Sequence, residues 1–497
     1  MVQQVRWRST IAGVIVVATM LAGCSGDQVA PSPQPTRAPA STSATVSTPD
    51  PTDTAAQLPP VPVTVTASDV AATPLSEAVV ATDVLPDGTL LMIDEDGRLW
   101  HLGNGQTRAL PGANTSPIPQ ALADARAAIA QAQRAADADD EANTDTSTDG
   151  DTNEQGDDPS EGEPALSAGD VAQVLDLIVA AGEPGADGDS EQPVVAYVSW
   201  TTGATTTVTR FTLDLRSTPP VVTDAIPLIA ALPAGQGING GALGVGPDGF
   251  LYVSVGDAGA PARAQELTAL EGKILRYRRD GQIPATNPLP DSPLWSAGHH
   301  NVTAIDWASN GRMYAVEQGG HHADELNLIN AGANYGWPWE EGDTPIDVND
   351  LDLATTDGGL TLPQGATFSP PLVQWPWSAT KQTVGDPQCL SAGDRAVVVC
   401  GSVSERAWWI PLPDDVAATQ LTAQPLLTGQ YGPLIDAHLD ATNSTLTVVS
   451  STASPPPGGA TAPHDLAGIP PDSTTPQVIT MTLTPDTDTT TTTEPIE

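Results

Sequence analysis

Gly246-Pro247-Asp248-Gly249-Phe250-Leu251-Tyr252 reads as a tight turn running into a short apolar strand. Proline presets the first corner, aspartate can accept a hydrogen bond from a following N–H, glycine takes the left-handed position, and Leu251 and Tyr252 suit a pleated, buried surface. The same plan recurs at Leu85-Pro86-Asp87-Gly88-Thr89-Leu90-Leu91, Ser309-Asn310-Gly311-Arg312-Met313-Tyr314 and Ala441-Thr442-Asn443-Ser444-Thr445-Leu446. Further strand pairs are expected over residues 194–215 and 395–411, and Leu390-Ser391-Ala392-Gly393-Asp394 can form the turn of a hairpin whose return strand is 396–399. Strands at this spacing, with almost no long amphipathic helix, favour a radial array of four-stranded sheets over a sandwich. The expectation is an all-β, six-bladed β-propeller.

The flanks are of a different kind. Arg6 and Arg8, an apolar run from 11 to 21 and then Leu21-Ala22-Gly23-Cys24 read as an export signal ending in a lipobox. Cleavage before Cys24 and acylation of its sulfur would hold the chain on the extracytoplasmic face of the cell membrane by lipid, with no transmembrane helix left. Residues 25–72, rich in Pro, Thr, Ser and Ala, read as a disordered tether. The propeller is expected over 73–484, interrupted by an acidic low-complexity insertion at 116–165 and followed by a disordered tail at 485–497. Removing Cys24 leaves Cys389 and Cys400, an even pair in an oxidising compartment, for which a disulfide is the default.

With 18 basic and 61 acidic residues the 497-residue chain carries a formal charge of −43, which excludes nucleic acid as a partner. The excess is concentrated between Asp137 and Glu163, where every charged residue is acidic and there is no aromatic residue and no aliphatic residue larger than alanine. Such a stretch cannot bury enough surface to offset its ordering entropy. Asp151-Thr152-Asn153-Glu154-Gln155-Gly156 begins like a calcium loop, but the twelfth position is Gly162 where a bidentate glutamate is needed. Just upstream, the alanine-rich residues 119–138 are expected to form one exposed helix.

Between 240 and 340 the motifs acquire a fixed order. Asn239-Gly240-Gly241, Val255-Gly256-Asp257, Leu270-Glu271-Gly272-Lys273, Gly298-His299-His300-Asn301, Glu317-Gln318-Gly319, Asp324-Glu325-Leu326-Asn327 and Asn334-Tyr335-Gly336-Trp337-Pro338 follow one another. In this the chain resembles the soluble quinoprotein glucose dehydrogenase and sorbosone dehydrogenase family. The resemblance implies a six-bladed propeller that uses pyrroloquinoline quinone (PQQ) and calcium. It implies that the carbonyls of Gly319 and Gly320 face a cofactor-bound calcium and that Asn301 belongs to the cofactor site. Asp324, Glu325 and Tyr335 would help hold a second, structural calcium, since carboxylate and carbonyl oxygens are what that ion prefers.

The resemblance fails at the chemistry. The family's histidine general base is replaced by Ile238, which cannot accept a proton. The arginine that follows the glycines is Ala242, and His300 replaces the arginine before Asn301. Ser404, Pro433 and Ile435 stand where further cations are expected, ahead of a retained Asp436. A tricarboxylate needs fixed cations. Three readings follow: a catalytically degenerate propeller that binds a sugar, a glycan or an envelope protein; an active PQQ- and calcium-dependent dehydrogenase in which His300 becomes the base; and a metal site on His299, His300, His321 and His322.

Overall fold

Each of the four recurring stretches falls between the first and second strands of a sheet, and three of them, among the described residues, are turns. Three of them share a hydrogen-bond pattern. The N–H of Leu85, Gly246 and Ala308 donates to the carbonyl of Thr89, Phe250 and Arg312, and the carboxylate or amide oxygen of Asp87, Asp248 and Asn310 accepts the N–H two residues on. Gly88, Gly249 and Gly311 sit at φ of 81°, 79° and 83°, the left-handed corner that the motif reserves for glycine.

The protein is described by a computed structural model, covering residues 63–72, 79–144, 172–182, 193–346, 366–376, 387–401, 404–413, 420–428, 431–440, 445–450 and 477–485. All of them lie in the unit Pro60–Glu497. Six antiparallel four-stranded sheets form the blades. Blade one is Val79–Val84, Leu90–Asp94, Leu99–Gly103 and Gln106–Ala109; blade two is Gln173–Ala181, Val194–Thr201, Thr205–Asp214 and Val221–Pro233. Blade three is Gly240–Val245, Leu251–Val255, Lys273–Tyr277 and Leu294–Ala297; blade four is Asn301–Trp307, Met313–Gln318, Ala323–Ile329 and Val373–Pro376. Blade five is Pro387–Ala392, Ala396–Gly401, Arg406–Pro411 and Gln424–Thr428. Blade six takes Leu434–Leu439, Thr445–Ser450 and Gln477–Pro485 from the end of the chain and its outer strand, Val63–Ala72, from the beginning.

That outer strand corrects the expected tether, whose last ten residues are part of the propeller. VTVTASDVAA alternates apolar and polar residues over its first six positions, up to the bulge near Asp69, a strand pattern that its Thr- and Ala-rich composition obscures. The helix Ile118–Thr144 is also less exposed than expected, because Ile118 and Leu122 are fully buried in the core shared by blades one and two. Arg126, one turn further on, ties it down through Asp96 (2.8 Å), the Glu95 carbonyl (2.7 Å) and the Ala172 carbonyl (2.9 Å). Cys24, the remaining tether, residues 145–165 of the acidic insertion and the tail beyond 485 lie outside the described residues. Cys389 and Cys400 face each other across the first hairpin of blade five and form the expected disulfide, both side chains buried.

The first strands pack around the central axis in the order of the blades, the sixth against the first. Most junctions there share one device. Asp83, Asp176, Asp306 and Asp436 each accept the N–H of the following residue on one carboxylate oxygen. On the other oxygen they accept an N–H from the next blade: Val179 (2.6 Å), Leu243 (2.7 Å), Ala392 (2.8 Å) and, closing the ring, Thr82 (3.0 Å). Between blades five and six the Ser391 hydroxyl does the same for Leu439 at 2.9 Å. Bulges in every first strand free the N–H groups for this use. Burial dominates the acidity of these staples: it raises Asp83, takes Asp306 to about 6 and takes Asp176 to about 7.

Candidate functional site

The connections that enter the first strands and those between second and third strands emerge at the same end of the blades. At blades three and four they bring most of the singled-out residues together. Ile238 precedes the first strand of blade three, Asp257 follows its second strand, His300 and Asn301 open blade four, Gln318 ends its second strand and Gly319 to His322 follow it. The segment 333–337 then runs alongside the outer strand of blade three, bonded to it at Ala297 and Gly298, and delivers Trp337.

Backbone bonds knit these pieces. The Ala258 N–H donates to the Ile238 carbonyl (3.1 Å) and the Asp257 N–H to the His300 carbonyl (2.9 Å). Asn301 accepts the Gly240 N–H on Oδ1 (2.9 Å) and donates from Nδ2 to Gln318 (3.0 Å). The His300 ring has one nitrogen fixed: Nδ1 lies 2.9 Å from the Gln318 carbonyl, an acceptor only, so it carries the proton. Its Nε2 faces Asp257 at 3.9 Å, and its flank meets Trp337 edge-on with centroids 4.6 Å apart. Asp257 is fully buried and accepts from the Trp337 indole (2.8 Å) and the Gly259 N–H (2.8 Å). Gly320 completes the group by close approach, since a Cβ there would stand 2.4 Å from the Trp337 ring and 3.0 Å from His300.

The loop from Gly319 to Ala323 is held from inside by carboxylates. Gly319 donates to Asp324 (3.1 Å), while the N–H groups of Gly320, His321, His322 and Ala323 all converge on Glu341. Glu341 is the residue that the sequence reading missed. It lies 18 residues beyond the loop it binds, and nothing in the local pattern marks it. Asp257, Gln318 and Trp337 were visible as motif members without a role.

The expected calcium residues are placed differently from one another. Asp324 and Glu325 are consecutive on one strand and point to opposite faces. Glu325 accepts from Gly342 and Asn327, and burial, reinforced by the nearby Glu317 charge, holds its carboxyl well above the usual range. The Tyr335 hydroxyl accepts from the Asn330 N–H (2.9 Å) and donates to the Leu328 carbonyl (2.7 Å). Of the four histidines, His299 is fully buried with both ring nitrogens engaged, by Ser296 and Glu317 at 2.9 Å each, and stacks on Tyr335. His321 and His322 meet edge-on with centroids 5.1 Å apart. Among the described residues no group of three or more His, Cys, Asp or Glu side chains is arranged to hold a metal ion.

Not every residue aligned with a family cation faces this site. Ala242 is 1% exposed and packs with Tyr252, Ile274 and Val302 between blades three and four, and Ile435 packs against the core of blade one. Lys273 is fully buried and donates to the carbonyls of Arg263, Ala264 and Glu271 at 2.7–2.8 Å, and Arg263 pairs with Glu271 at 2.7 Å. Among the described residues, the acidic or basic side chains that contact His300 are Asp257 and Glu317.

Comparison with known proteins agrees with this architecture. Residues 184–370 match the family described as Glucose / Sorbosone dehydrogenase. The quinoprotein glucose dehydrogenase B of Acinetobacter calcoaceticus is 36% identical over 135 residues, 23% of this chain and 28% of that protein. The aldose sugar dehydrogenase YliI of Escherichia coli is 32% identical over 107 residues, 20% of this chain and 28% of that protein. The chain thus matches little more than a quarter of the length of these relatives. The PQQ-bound aldose sugar dehydrogenase of Streptomyces coelicolor superposes with a TM-score of 0.56 at 23% identity, covering 86% of this chain and all of that one, which is a likeness of fold. The chain resembles the soluble PQQ-dependent sugar dehydrogenases in sequence motifs and in its six-bladed propeller.

Proposed function

We propose that this protein is an extracytoplasmic lipoprotein whose sugar-dehydrogenase-like propeller has given up quinone-linked oxidation and serves as a binding module for a neutral sugar or glycan. One observation carries the reading: hydrocarbon stands at the family's base position, Ile238, and among the described residues the acidic or basic side chains that contact His300 are the carboxyl groups of Asp257 and Glu317. PQQ does not fit such a set. Its three carboxylates would meet Asp257 across a buried, poorly screened space, with Lys273 already committed to three carbonyls. A glycan has no charge to be repelled, and an envelope protein with a neutral or basic surface is the other partner this face admits. Calcium enters the reading only through the Gly319 and Gly320 carbonyls, whose N–H groups are turned inward to Asp324 and Glu341. The anchor rests on Cys24, and loss of radiolabelled palmitate from Cys24→Ala tests it.

A second reading keeps the enzyme. With Nδ1 fixed on the Gln318 carbonyl, His300 is left with Nε2 as the nitrogen able to take a proton, 3.9 Å from Asp257. Calorimetric titration of the purified protein with PQQ and calcium, together with dye-linked oxidation of aldoses, separates the two. The binding-module reading expects no heat and no turnover. Micromolar quinone binding with turnover that is lost in His300→Gln establishes the enzyme.

A further inference from the structure

At the opposite ends of the same strands, blades two and three enclose a second cleft. Its volume is about 200 Å³, and it is lined by Gly182, Pro193, Val195, Tyr197, Arg210, Thr212, Arg279 and Asp280. That is smaller than a site for a drug-sized ligand, ~300–1,000 Å³, and larger than a bare ion requires. Val195, Tyr197, Arg210 and Thr212 belong to adjacent strands in register, Tyr197 opposite Arg210 and Val195 opposite Thr212. Arg279 enters from blade three, just beyond the strand Lys273–Tyr277.

The chemistry of the cleft lies in its two guanidinium groups. Arg98, Arg126, Arg216, Arg263, Arg276 and Arg278 each pair with an aspartate or glutamate. Arg210 and Arg279 have no such partner among the described residues. The Nε of Arg210 and the Nη2 of Arg279 are both buried and make no hydrogen bond there. Arg279 donates from Nε to the Tyr197 hydroxyl at 3.1 Å and leans over that ring at 5.8 Å, so the two arginines flank one tyrosine. Because the Tyr197 oxygen accepts from Arg279, its proton is left to donate. The one acidic group in the lining, Asp280, accepts from the Gln282 N–H (3.0 Å) and lies 3.4 Å from Arg278. Two partly buried guanidinium groups, each with a buried N–H that no described residue accepts, are costly to hold on either side of one tyrosine.

We infer that this cleft is a binding site for a small organic oxyanion, with Arg210 and Arg279 gripping the charged group, Tyr197 and Thr212 hydrogen bonding to it, and Val195 and Pro193 covering the carbon skeleton. Guanidinium donors match carboxylate and phosphate alike, and the volume leaves room for a short skeleton behind either. The site is independent of the face that carries His300.

The test uses one skeleton in three forms, glycerol, D-glycerate and sn-glycerol 3-phosphate, titrated calorimetrically into the purified full-length protein at low salt. Binding of D-glycerate, sn-glycerol 3-phosphate or both, with glycerol silent and affinity falling as salt rises, is expected, and the tighter of the two identifies the natural charged group. Arg210→Gln and Arg279→Gln should each weaken that binding at least tenfold and together abolish it. Arg210→Lys keeps the charge and should lose part of the affinity while unfolding at the wild-type temperature. No heat from either oxyanion at millimolar concentration, glycerol binding as tightly as the oxyanions, or undiminished affinity in the folded double variant overturns the proposal.

Discussion

Asp176→Asn isolates one of the carboxylates that staple neighbouring blades. In the folded protein Asp176 has its pKa raised from 3.8 to about 7, with burial as the main cause and the charges of Asp436 and Asp83 adding to it. A raised carboxyl favours the folded state while it is protonated in both states, and that stability is lost as pH climbs from about 4 to about 7. Between pH 5 and pH 8 the folded wild type gives up this proton while the unfolded chain has already lost it. Two units of that interval, at ~1.36 kcal/mol each, make the loss about 3 kcal/mol. Asparagine has no proton to lose, and its amide oxygen can still accept the N–H of Leu243, which is now 2.7 Å from the carboxylate. At pH 5 the variant should lie within about 1 kcal/mol of wild type, the worth of one hydrogen bond. By pH 8 it should have moved in its own favour by about 2–3 kcal/mol. Urea unfolding followed by tryptophan fluorescence at pH 5, 6.5 and 8 measures this, and subtracting wild type from variant removes the general effect of the chain's high negative charge. A difference between variant and wild type that is the same at pH 5 and pH 8 would refute the reasoning.

Breaking the disulfide with Cys389→Ser and Cys400→Ser should cost ~2–3 kcal/mol by loop entropy, seen as a lower urea midpoint; unchanged stability would mean that the bridge does not constrain the unfolded chain. Lys273→Met leaves three carbonyls without their donor and should destabilise the protein by about 3–5 kcal/mol, the range for breaking a buried charged network. Burial pushes this ammonium down to about 7, while the three acceptors it satisfies favour its charged form. Limited proteolysis should then cut first in the connection between Val255 and Lys273; a variant as resistant as wild type would mean that another contact holds this loop.

The blades were legible because their hairpins are local. The turn at Gly246 to Tyr252 and its counterparts carry their own conformational requirements in consecutive residues, so reading them needs no tertiary knowledge. The disulfide and the hairpin of blade five were legible for the same reason. The closing strand Val63–Ala72 was not, because its partner lies at the far end of the chain and its composition resembles the tether before it. The arrangement was legible only where a motif named the residue: His300, Asn301 and Gly320 lie on neighbouring connections of blades three and four. Glu341 organises the loop through four backbone N–H groups whose own sequence, Gly-His-His-Ala, says nothing of an acceptor elsewhere. The same holds for Ala242, whose place between blades three and four follows from the bulge at the start of its strand. An aligned column cannot say which way a side chain faces once a bulge has turned it.

Blade six also sets a timetable for synthesis. Val63 pairs with Pro485 and Ala72 with Gln477, so the outermost strand is made early and its partner almost last. At roughly 5–20 residues per second the ribosome takes on the order of 20 to 80 seconds to reach that partner. Through this interval the early strand is an open edge with no neighbour, the condition in which β-chains find wrong partners. Its sequence, VTVTASDVAA, is mild for a strand, with an aspartate and alternating small or hydroxylated side chains where a stickier edge would carry leucine or phenylalanine. The composition that makes this segment look like linker is also what lets it wait.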